Sequence, residues 1–192
     1  MNYLRPSIVL LILLTLITGV IYPLAVTGLA QAFLPGKAQG SLIMQQDNVV
    51  GSQLIGQNFT RADYFHGRPS VTAQMPYNAL ASGGSNLSSN NPALKQRIEA
   101  DIQRLRVENP NATGAIPLEL VTASASGLDP HISPDGAIYQ AERVAAARHL
   151  PLETVRQLIE QNTQQPVDIL GAPVVNVLML NLALDSETQS RK

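Results

Sequence analysis

One short stretch of the sequence, SASGLDPHIS, carries the residue types of a hydrolytic site. Ser124 or Ser126 could act as a nucleophile. His131 could then serve as its general base, and Asp129 as the carboxylate that orients the histidine ring. The groups of such a triad usually come from separate secondary-structure elements, and the G-x-S-x-G pattern of a nucleophile elbow is absent. We therefore interpret the stretch as a hydroxyl-rich turn, with a freestanding membrane-anchored Ser/His hydrolase as the alternative.

A glycine pair in the segment SGGSN could present backbone amides to an anion such as a nucleotide phosphate. The segment consists of Ser82, Gly83, Gly84, Ser85 and Asn86. The G-x-x-x-x-G-K-[ST] pattern of a phosphate-binding loop is absent, and the next lysine is Lys95. We therefore expect this loop to contact a partner protein, with direct nucleotide binding as the alternative.

The histidine and cysteine content argues against a metal centre. His66, His131 and His149 are far apart in the sequence, no pair has the i, i+4 spacing of a helical metal site, and the chain contains no cysteine. Hydroxyl and carbonyl oxygens could hold a monovalent cation, but no spacing indicates such a site. We expect surface or hydrogen-bonded histidines and predict no bound metal or cofactor.

An uncharged apolar segment, residues 7–33, precedes these loops and predicts a membrane anchor. It lies between Arg5 and Lys37. About 20 apolar residues, each rising about 1.5 Å, cross a hydrocarbon core of about 30 Å, so the segment is long enough for one membrane-spanning helix. A cleaved signal peptide would have a shorter apolar stretch, and the one passable cleavage sequence, residues 30–32, comes too late. We expect a retained anchor.

Tyr22-Pro23 interrupts the helical pattern of this segment, because a proline removes one backbone donor and crowds the preceding turn. We expect a kink or a strained turn near Tyr22, which in a membrane is tolerated best where a neighbouring protein helix covers it. Small and hydroxyl-bearing residues permit close packing between helices. The predicted packing positions in the membrane are Thr18, Gly19, Tyr22, Pro23, Thr27 and Gly28.

The orientation of the anchor follows from the charges beside it. Arg5 precedes the apolar segment, and no acidic residue does. Because cytoplasmic flanks of membrane helices carry an excess of basic residues, we expect residues 1–6 to form a short cytoplasmic end. Residues 7–33 then form the transmembrane helix, and residues 34–192 a domain outside the cytoplasm, in the periplasm. The signal is a single arginine, and the absence of cysteine fits either side.

The rest of the chain is long enough for one domain with its own hydrophobic core. The formal net charge of −1 gives no electrostatic basis for binding nucleic acid or an anionic membrane surface. Residues 40–44 and 49–59 alternate apolar with small or polar residues around a turn-forming Asp47-Asn48, and predict a hairpin. Residues 60–91 show little periodicity. Such a segment inside a compact domain is usually functional or packed down by its own aromatic residues, here Tyr64, Phe65 and Tyr77.

Three helices and two further strands complete the predicted domain. Asn91-Pro92 and Ser133-Pro134 each combine an N-cap residue with a proline in the first helical turn, and a third apolar helical face follows Pro151. Residues 118–124 and 174–184 predict strands, with a frayed polar tail after the second. The predicted fold class is α+β, with a single N-terminal transmembrane helix followed by one mixed α/β soluble domain.

Eight segments together resemble the C subunit of the Kdp-type potassium-transporting P-type ATPase of bacteria. The most distinctive is LVTASASGLDPHISP at residues 120–134, and the others follow the family's order along the chain. They are TGVIYPLAVTGLAQ (18–31), GSLI (40–43), GSQLIGQNF (51–59), YFHGRPS (64–70), SGGSNL (82–87), QAERVAAAR (140–148) and GAPVVNVLMLN (171–181). Residues 87–89 depart from the pattern, since many members carry Gly or Pro after the leucine.

The resemblance implies a non-catalytic accessory subunit of a high-affinity, ATP-driven potassium uptake pump in the bacterial inner membrane. Its partners would be a channel-like potassium-binding A subunit, a P-type ATP-hydrolysing B subunit and a small single-span F subunit. The resemblance further implies a role in assembly, and one as a catalytic chaperone that raises the ATP affinity of the hydrolytic subunit. The sequence lacks the D-K-T-G-T phosphorylation motif, so ATP and potassium would be handled by the complex.

The implied role and the predicted orientation together constrain the mechanism. A domain outside the cytoplasm cannot reach ATP, so its effect on ATP affinity would be allosteric and limited by its differential affinity for the states of the pump. A cytoplasmic domain would instead permit a direct nucleotide-binding chaperone. The predicted contact residues, for a partner or for a nucleotide, are His66, Gly67, Arg68, Ser82, Gly83, Gly84, Ser85, Asn86, Ser124, Ser126, Asp129 and His131.

Overall fold

A computed structural model describes residues 3–45, 47–165 and 171–190 of the chain. Residues 1–2 of the predicted cytoplasmic end and residues 191–192 of the predicted polar tail lie outside the described residues. The chain divides into two compact units, Met1–Ser52 and Gln53–Lys192. An apolar helix in the first unit and a mixed domain of helices and strands in the second confirm the predicted fold class.

A continuous helix of 30 residues, Leu4–Phe33, forms most of the first unit. It consists of α1 (Leu4–Leu16), one π-helical turn (Ile17–Ile21) and α2 (Tyr22–Phe33), and no residue along it is buried. At about 1.5 Å per residue, a helix of this length exceeds a hydrocarbon core of about 30 Å. A long apolar helix without a buried side chain is typical of a membrane span, and the structure therefore contains the predicted candidate span.

The π-helical turn lies immediately before the predicted break in this helix. The amide of Tyr22 donates to the carbonyl of Ile17, five residues earlier. Pro23 has no amide hydrogen, and a proline ring crowds the carbonyl four residues before it, which here belongs to Gly19. Widening one turn to the π spacing relieves this crowding without ending the helix. The strained turn predicted near Tyr22 thus takes the form of a π-helical turn.

A short helix and a β-hairpin complete the first unit. After α3 (Pro35–Ala38), β1 (Leu42–Gln45) pairs antiparallel with β2 (Asn48–Ser52). The hydroxyl of Ser52 donates to the carbonyl of Gly40 at 2.7 Å and closes the open end of the hairpin. The predicted hairpin is confirmed, although its second strand ends earlier than residue 59.

In its described part, the second unit has four α-helices and a small antiparallel sheet. The helices are α4 (Pro92–Glu108), α5 (Pro134–Arg148), α6 (Leu152–Gln161) and α7 (Val177–Ser190). The strand order in the sheet is β3 (His131–Ile132), β5 (Val174–Asn176), β4 (Thr163–Gln164). Asn91 and Ser133 cap α4 and α5, as predicted, because their side chains accept hydrogen bonds from the first-turn amides of Ala93 and Gly136.

The hydrophobic core of the second unit lies around α5. Its buried face carries small residues, Ala137, Ala141 and Ala145, which allow neighbouring elements to approach closely. The predicted apolar face of α6 is confirmed by the burial of Val155 and Ile159. Phe65 is fully buried in the same core although it belongs to the aperiodic segment, so that segment is fixed to the domain by its own aromatic residue.

The strand predicted at residues 118–124 is wrong. Leu118–Leu120 forms a single 3₁₀ turn, and a loop follows it. The hydroxyl of Thr122 donates to the carbonyl of Leu118 at 2.9 Å. This local bond competes with strand pairing for the backbone carbonyl, so branched residues here do not produce a strand.

The long strand predicted at residues 174–184 is also wrong. Only Val174–Asn176 is extended, and the chain then continues as α7 to Ser190, where a frayed tail was predicted. The buried residues Val177, Leu180 and Leu184 recur at intervals of three and four, which is the period of a helix. The helical period was present in the sequence, and the branched composition concealed it.

Candidate functional site

The structure brings two of the predicted contact loops together in the second unit. The amide of Gly83 and the hydroxyl of Ser82 both donate to the carbonyl of Ser126, at 2.9 and 3.0 Å. A Cβ on Gly84 would lie 3.0 Å from the carbonyl oxygen of Ala125. The glycines of SGGSN therefore allow two loops to pack closely, and the amide of Gly83 is already used inside the protein.

Two further glycines on this surface lie tightly against neighbouring residues. A Cβ on Gly127, whose φ is +67°, would lie 2.4 Å from Thr72 Cγ2 and 2.8 Å from the carbonyl oxygen of Gly83. A Cβ on Gly56 would lie 2.4 Å from Cε1 of Tyr77. Neither position has room for a side chain, so glycine is required at both. We call the surface formed by residues 54–57, 67–86 and 121–131 the loop platform.

Two hydroxyl groups fix the loop platform from within. Ser70 Oγ donates to the carbonyl of Gly127 at 2.7 Å and accepts from the amide of Tyr77 at 2.8 Å. Thr72 Oγ1 donates to the carbonyl of Met75 at 2.6 Å and accepts from a backbone amide at 3.0 Å. Each hydroxyl thus joins two backbone groups that have no regular secondary-structure partner.

The phenol of Tyr77 links the same surface to Arg68. It donates to the carbonyl of Arg68 at 2.7 Å. Burial, with a smaller contribution from the charge of Asp129, raises the pKa of Tyr77 to about 12. The phenol therefore stays protonated at neutral pH and keeps its role as a donor.

Ser124 and Ser126 do not form a hydrogen-bonded catalytic triad with His131. Ser124 Oγ accepts from the amide of Gly127 at 2.8 Å, and Ser126 Oγ accepts from the amide of Leu128 at 3.1 Å. Within the described part of the chain, neither hydroxyl has a hydrogen bond to the imidazole. Both hydroxyls close local turns, which is the usual role of serine in such a sequence.

The carboxylate of Asp129 is held by an arginine. Arg68 Nη1 donates to Asp129 Oδ2 at 3.0 Å, and Asp129 Oδ1 accepts from the backbone amide of His131 at 3.0 Å. The imidazole Nδ1 of His131 lies 3.6 Å from Oδ1, which is too far for a hydrogen bond. Asp129 therefore ties Arg68 to the turn and does not orient the histidine ring.

His66 lies in a half-buried polar pocket beside α4. Its side chain is 12% exposed, and its Nδ1 lies 3.5 Å from a carboxylate oxygen of Glu108. Its Nε2 is 3.0 Å from the carbonyl oxygen of Arg61. Burial first, and then the positive charge of Arg143, lower the pKa of His66, so the imidazole is neutral at physiological pH.

Two buried amide side chains, which the sequence interpretation missed, position the backbone around His66. Asn181 of α7 donates to the carbonyl of Phe65 at 3.0 Å and accepts from its amide at 2.9 Å. Gln140 of α5 pairs in the same way with His66, at 3.1 and 2.8 Å. Each amide supplies the two bonds that a neighbouring strand would give. The sequence signal for these two residues is a polar side chain on an otherwise apolar helical face.

Two arginines of α5 hold residues 62–64, which lie just before Phe65 and His66. Arg143 donates to the carbonyls of Ala62 and Tyr64, at 2.5 and 3.0 Å. Arg148 donates to the carbonyl of Asp63 at 2.6 Å. Together with the buried amides, these bonds connect the irregular segment before the loop platform to two helices of the core.

The remaining contact residues lie at the margin of the loop platform. A Cβ on Gly67 would lie 2.5 Å from the phenol oxygen of Tyr77. Ser85 is half-buried, and Asn86 is exposed with a φ of +51°. His131, also half-buried, begins β3. All the predicted contact residues therefore lie in the second unit, whereas the predicted membrane packing positions lie in the first.

Those membrane packing positions lie along the apolar helix and are exposed. The hydroxyl of Thr18 donates to the carbonyl one turn earlier at 2.7 Å, so it adds no unpaired polar group to the helix surface. A Cβ on Gly19 would have only Thr15 Cγ2 near it, at 4.0 Å, and Gly28 has no atom within 4 Å of that position. The other exposed positions are Tyr22, Pro23 and Thr27. The two glycines thus leave notches that a second helix could enter.

The histidines serve separate local structures. His66 lies in its polar pocket, His131 begins β3, and His149 ends α5 in the left-handed conformation with a φ of +54°. In the part of the chain that the structure describes, no group of three or more His, Asp or Glu side chains could hold a metal ion.

Comparison with known proteins covers both units. A family model described as KdpC, the c chain of the K+-transporting ATPase, matches residues 4–186. The chain belongs to this family. The match confirms the resemblance seen in the sequence, and it includes the apolar helix as well as the loop platform.

Relatives extend over nearly the whole of this KdpC-family chain. A protein from Yersinia enterocolitica is 58% identical over 189 residues, covering 98% of this chain and 94% of its own. A protein from Photorhabdus laumondii is 55% identical over 193 aligned residues, covering 100% of both chains. A third, from Polaromonas naphthalenivorans, is 59% identical over 186 residues, covering 96% and 95%. Each relative is named a potassium-transporting ATPase KdpC subunit.

Proposed function

We propose that the chain is a non-catalytic accessory subunit of a high-affinity, ATP-driven potassium uptake pump. The observation that carries this proposal is the match, over nearly the full length, to proteins named potassium-transporting ATPase KdpC subunits. In this role the chain is needed for assembly and stability of the complex. It also acts as a catalytic chaperone that raises the ATP affinity of the ATP-hydrolysing subunit.

The geometry of the loop platform supports a role without chemistry of its own. The hydroxyls of Ser124 and Ser126 accept backbone hydrogen bonds, and the carboxylate of Asp129 is paired with Arg68. The amide of Gly83 donates to a backbone carbonyl. Because these groups already have partners in the protein, they favour a binding surface over a hydrolytic site and over nucleotide binding at residues 82–86.

We propose three protein partners in the bacterial inner membrane. They are a channel-like potassium-binding A subunit, a P-type ATP-hydrolysing B subunit and a small single-span F subunit. The exposed apolar helix supports attachment in the membrane, and Arg5 supports a cytoplasmic N-terminus with the domain of residues 34–192 in the periplasm. The domain then lies on the side from which potassium enters, and the loop platform covers or stabilises the ion entrance of the A subunit.

In this arrangement the chain changes ATP affinity allosterically. A periplasmic domain cannot touch ATP, so it acts only by binding one state of the pump more tightly than another. A tenfold change in ATP affinity needs a difference of about 1.4 kcal/mol. Because such coupling is reciprocal, ATP must in turn strengthen the attachment of the subunit.

Co-expression of the tagged full-length chain with the other subunits tests the proposal. We expect the chain to copurify with the ATP-hydrolysing subunit. Leaving the chain out should lower the yield of complex and raise the ATP concentration at half-maximal hydrolysis. A complex that assembles without the chain and hydrolyses ATP with unchanged affinity would contradict the proposal.

Substitutions in the hydroxyl-rich turn distinguish this role from that of a hydrolase. We expect His131→Ala and Ser126→Ala to leave ATP hydrolysis by the complex in place, with at most a defect in complex stability or apparent potassium affinity. The hydrolase alternative predicts instead that the purified chain cleaves esters and that His131→Ala abolishes this activity. Ester cleavage that disappears in that variant would establish the alternative.

A further inference from the structure

A cleft in the domain, distinct from the contact between the two glycine-containing loops, has a volume of about 510 Å³. Phe59, Tyr77 and two prolines contribute the apolar part of its wall. The charged and titratable part consists of Arg68, Arg97, Arg104, Asp101, Glu108 and His66. A cleft of this volume has room for a small molecule or a few side chains.

Two nitrogen atoms in the wall of this cleft are buried and unpaired. Within the described residues, the Nε atoms of Arg68 and Arg97 are the buried side-chain atoms without a hydrogen-bond partner. Native proteins rarely leave a buried donor without an acceptor, because its desolvation is then uncompensated. Arg68 keeps one ion pair, with Asp129 at 3.0 Å. The guanidinium of Arg97 has neither an ion pair nor a hydrogen bond to any described residue.

The two carboxylates of the wall are already paired with another arginine. Arg104 pairs with Asp101 at 3.1 Å and with Glu108 at 3.2 Å. Arg143, which does not line the cleft, adds a second positive charge that acts on Glu108. Neither carboxylate pairs with Arg97, so its positive charge has no ion-pair partner among the described residues.

We infer that this cleft binds a single carboxylate group of a partner polypeptide, with Arg97 as its principal ligand. A planar guanidinium donates two parallel hydrogen bonds to a carboxylate, and such pairs are stronger than bonds between neutral groups. Arg68, in the same wall, offers its unpaired Nε as a further donor. A doubly charged phosphate fits less well, because Asp101 and Glu108 line the same wall and would repel it.

The polypeptide source of the carboxylate rests on the proposed function. A subunit that is assembled with membrane partners meets their acidic side chains at high effective concentration, whereas a free monocarboxylate must be supplied in solution. The cleft is then a docking point for one Asp or Glu side chain, or for a chain terminus, of a neighbouring subunit.

Chemical modification of arginine tests this inference on the full-length protein. Phenylglyoxal is applied to the full-length chain in detergent and to the purified pump complex, and modification of each arginine is followed by mass spectrometry. Arg106, exposed on the same helix, is the internal control. We expect Arg97 to react freely in the separate chain and to be protected in the complex, with Arg106 reacting equally in both.

Matched substitutions identify the chemistry behind the protection. We expect Arg97→Gln to weaken retention of the chain in the complex by about tenfold to a hundredfold. Arg97→Lys should restore only part of this loss, since lysine keeps the charge and loses the planar fork. Arg106→Gln should leave retention unchanged. Equal retention of the Arg97→Gln and Arg106→Gln complexes would overturn the inference.

Two further results would also overturn it. Protection of Arg97 in the separate chain by millimolar sodium acetate or sodium phosphate, equal to that in the complex, would assign the cleft to a free anion. Equal reactivity of Arg97 in the separate chain and in the complex would show that no group of a partner occupies the cleft. Both results differ from failure of the proposed function, in which the unmodified wild-type chain does not copurify with the pump.

Discussion

Gly127 lies where two contact loops of the second unit meet, and it has no room for a side chain. Its positive φ and the 2.4 Å separation between a hypothetical Cβ and Thr72 Cγ2 leave no room for another residue. The neighbouring hydroxyls complete the contact, because Ser70 Oγ donates to its carbonyl. The loop platform therefore depends on a few small residues, and its stability is expected to be sensitive to single added methyl groups.

We expect Gly127→Ala to lower the free energy of unfolding by about 2–5 kcal/mol. A left-handed conformation costs an L-residue about 1–2 kcal/mol, and overpacking adds about 1–3 kcal/mol. Gly83→Ala is the matched control, since it lies in the same contact and the nearest atom to its Cβ is 4.0 Å away. Denaturant unfolding of the full-length chain measures both. An equal decrease in the free energy of unfolding of the two variants would show that the close contact at residue 127 does not contribute to stability.

His66 gives the second unit a pH-dependent stability. Its pKa is lowered in the folded chain, so the unfolded chain takes up a proton at a higher pH than the folded chain does. The contribution of His66 to stability is therefore fully present above about pH 6.5 and decreases as the pH falls through the lowered pKa. Glu108, Arg104 and Arg143 are the charged groups that act on the ring.

We expect His66→Gln to make the unfolding free energy less dependent on pH below about 6.5. The exposed His149 supplies the control, and His149→Gln should keep the wild-type dependence. Urea unfolding of the full-length chain at a series of pH values provides the measurement. An identical decrease with falling pH in both variants would assign the dependence to other groups.

The chemistry of single residues was predictable where their partners are close in the sequence. The turn role of Ser124 and Ser126 follows from hydroxyls beside glycine and Asp-Pro, and their hydrogen bonds reach only two or three residues onward. Gln140 and Asn181 bond to backbone groups 74 and 116 residues away. No local pattern specifies such partners, and their roles could be found only from the fold.

The same distinction applies to the secondary-structure elements. The starts of α4 and α5 were predicted correctly, because an N-cap bonds to an amide two or three residues onward. The strands of the second unit were predicted poorly, because β5 has only three residues and its partners β3 and β4 have two each. A strand that short gives no alternation to detect, and the apolar run after it was mistaken for its continuation.

Pro23 and Gly19 control the shape of the membrane helix. We expect Pro23→Leu to weaken recovery of the chain with the pump complex. The restored amide favours an ordinary α-helical bond to the carbonyl of Gly19, which removes the π-helical turn and rotates the two halves of the helix relative to each other. Gly19→Leu should act in the same direction by filling a notch in the packing surface.

The helix variants must leave the second unit folded for this test to be informative. Unfolding of the full-length chains in detergent should match that of the wild type. Gly36→Leu, in α3 and with no atom within 4 Å of its Cβ position, is the control outside the long helix. Unchanged recovery of complex with Pro23→Leu and Gly19→Leu would argue against helix packing as the means of attachment.

For the molecule as a whole, the sequence identified the family more readily than the mechanism. Ordered segments from residue 18 to residue 181 carried the resemblance, and the match to residues 4–186 confirms it. The site was harder to predict from the sequence, because it depends on which loops meet and which charges lack a partner. In the sequence, for example, Arg97 looks like an ordinary surface arginine of a helix, and only the structure shows that its guanidinium is unpaired.

The proposed placement of the second unit outside the cytoplasm connects the separate proposals. It would exclude direct contact with ATP, place the loop platform on the side of the ion entrance, and make any effect on ATP affinity allosteric. The supporting observations are one arginine before the apolar helix and the use of the Gly83 amide inside the protein. A measurement of sidedness therefore tests the account more directly than any single substitution in the site.

The absence of cysteine makes that measurement simple. Ser190→Cys places one thiol at the end of α7, and a membrane-impermeant thiol reagent is applied to intact spheroplasts and to opened membranes. The account predicts labelling in intact spheroplasts, with no increase when the membranes are opened. Labelling only after the membranes are opened would place the domain in the cytoplasm, contradict the orientation inferred from Arg5, and favour a chaperone that binds nucleotide directly.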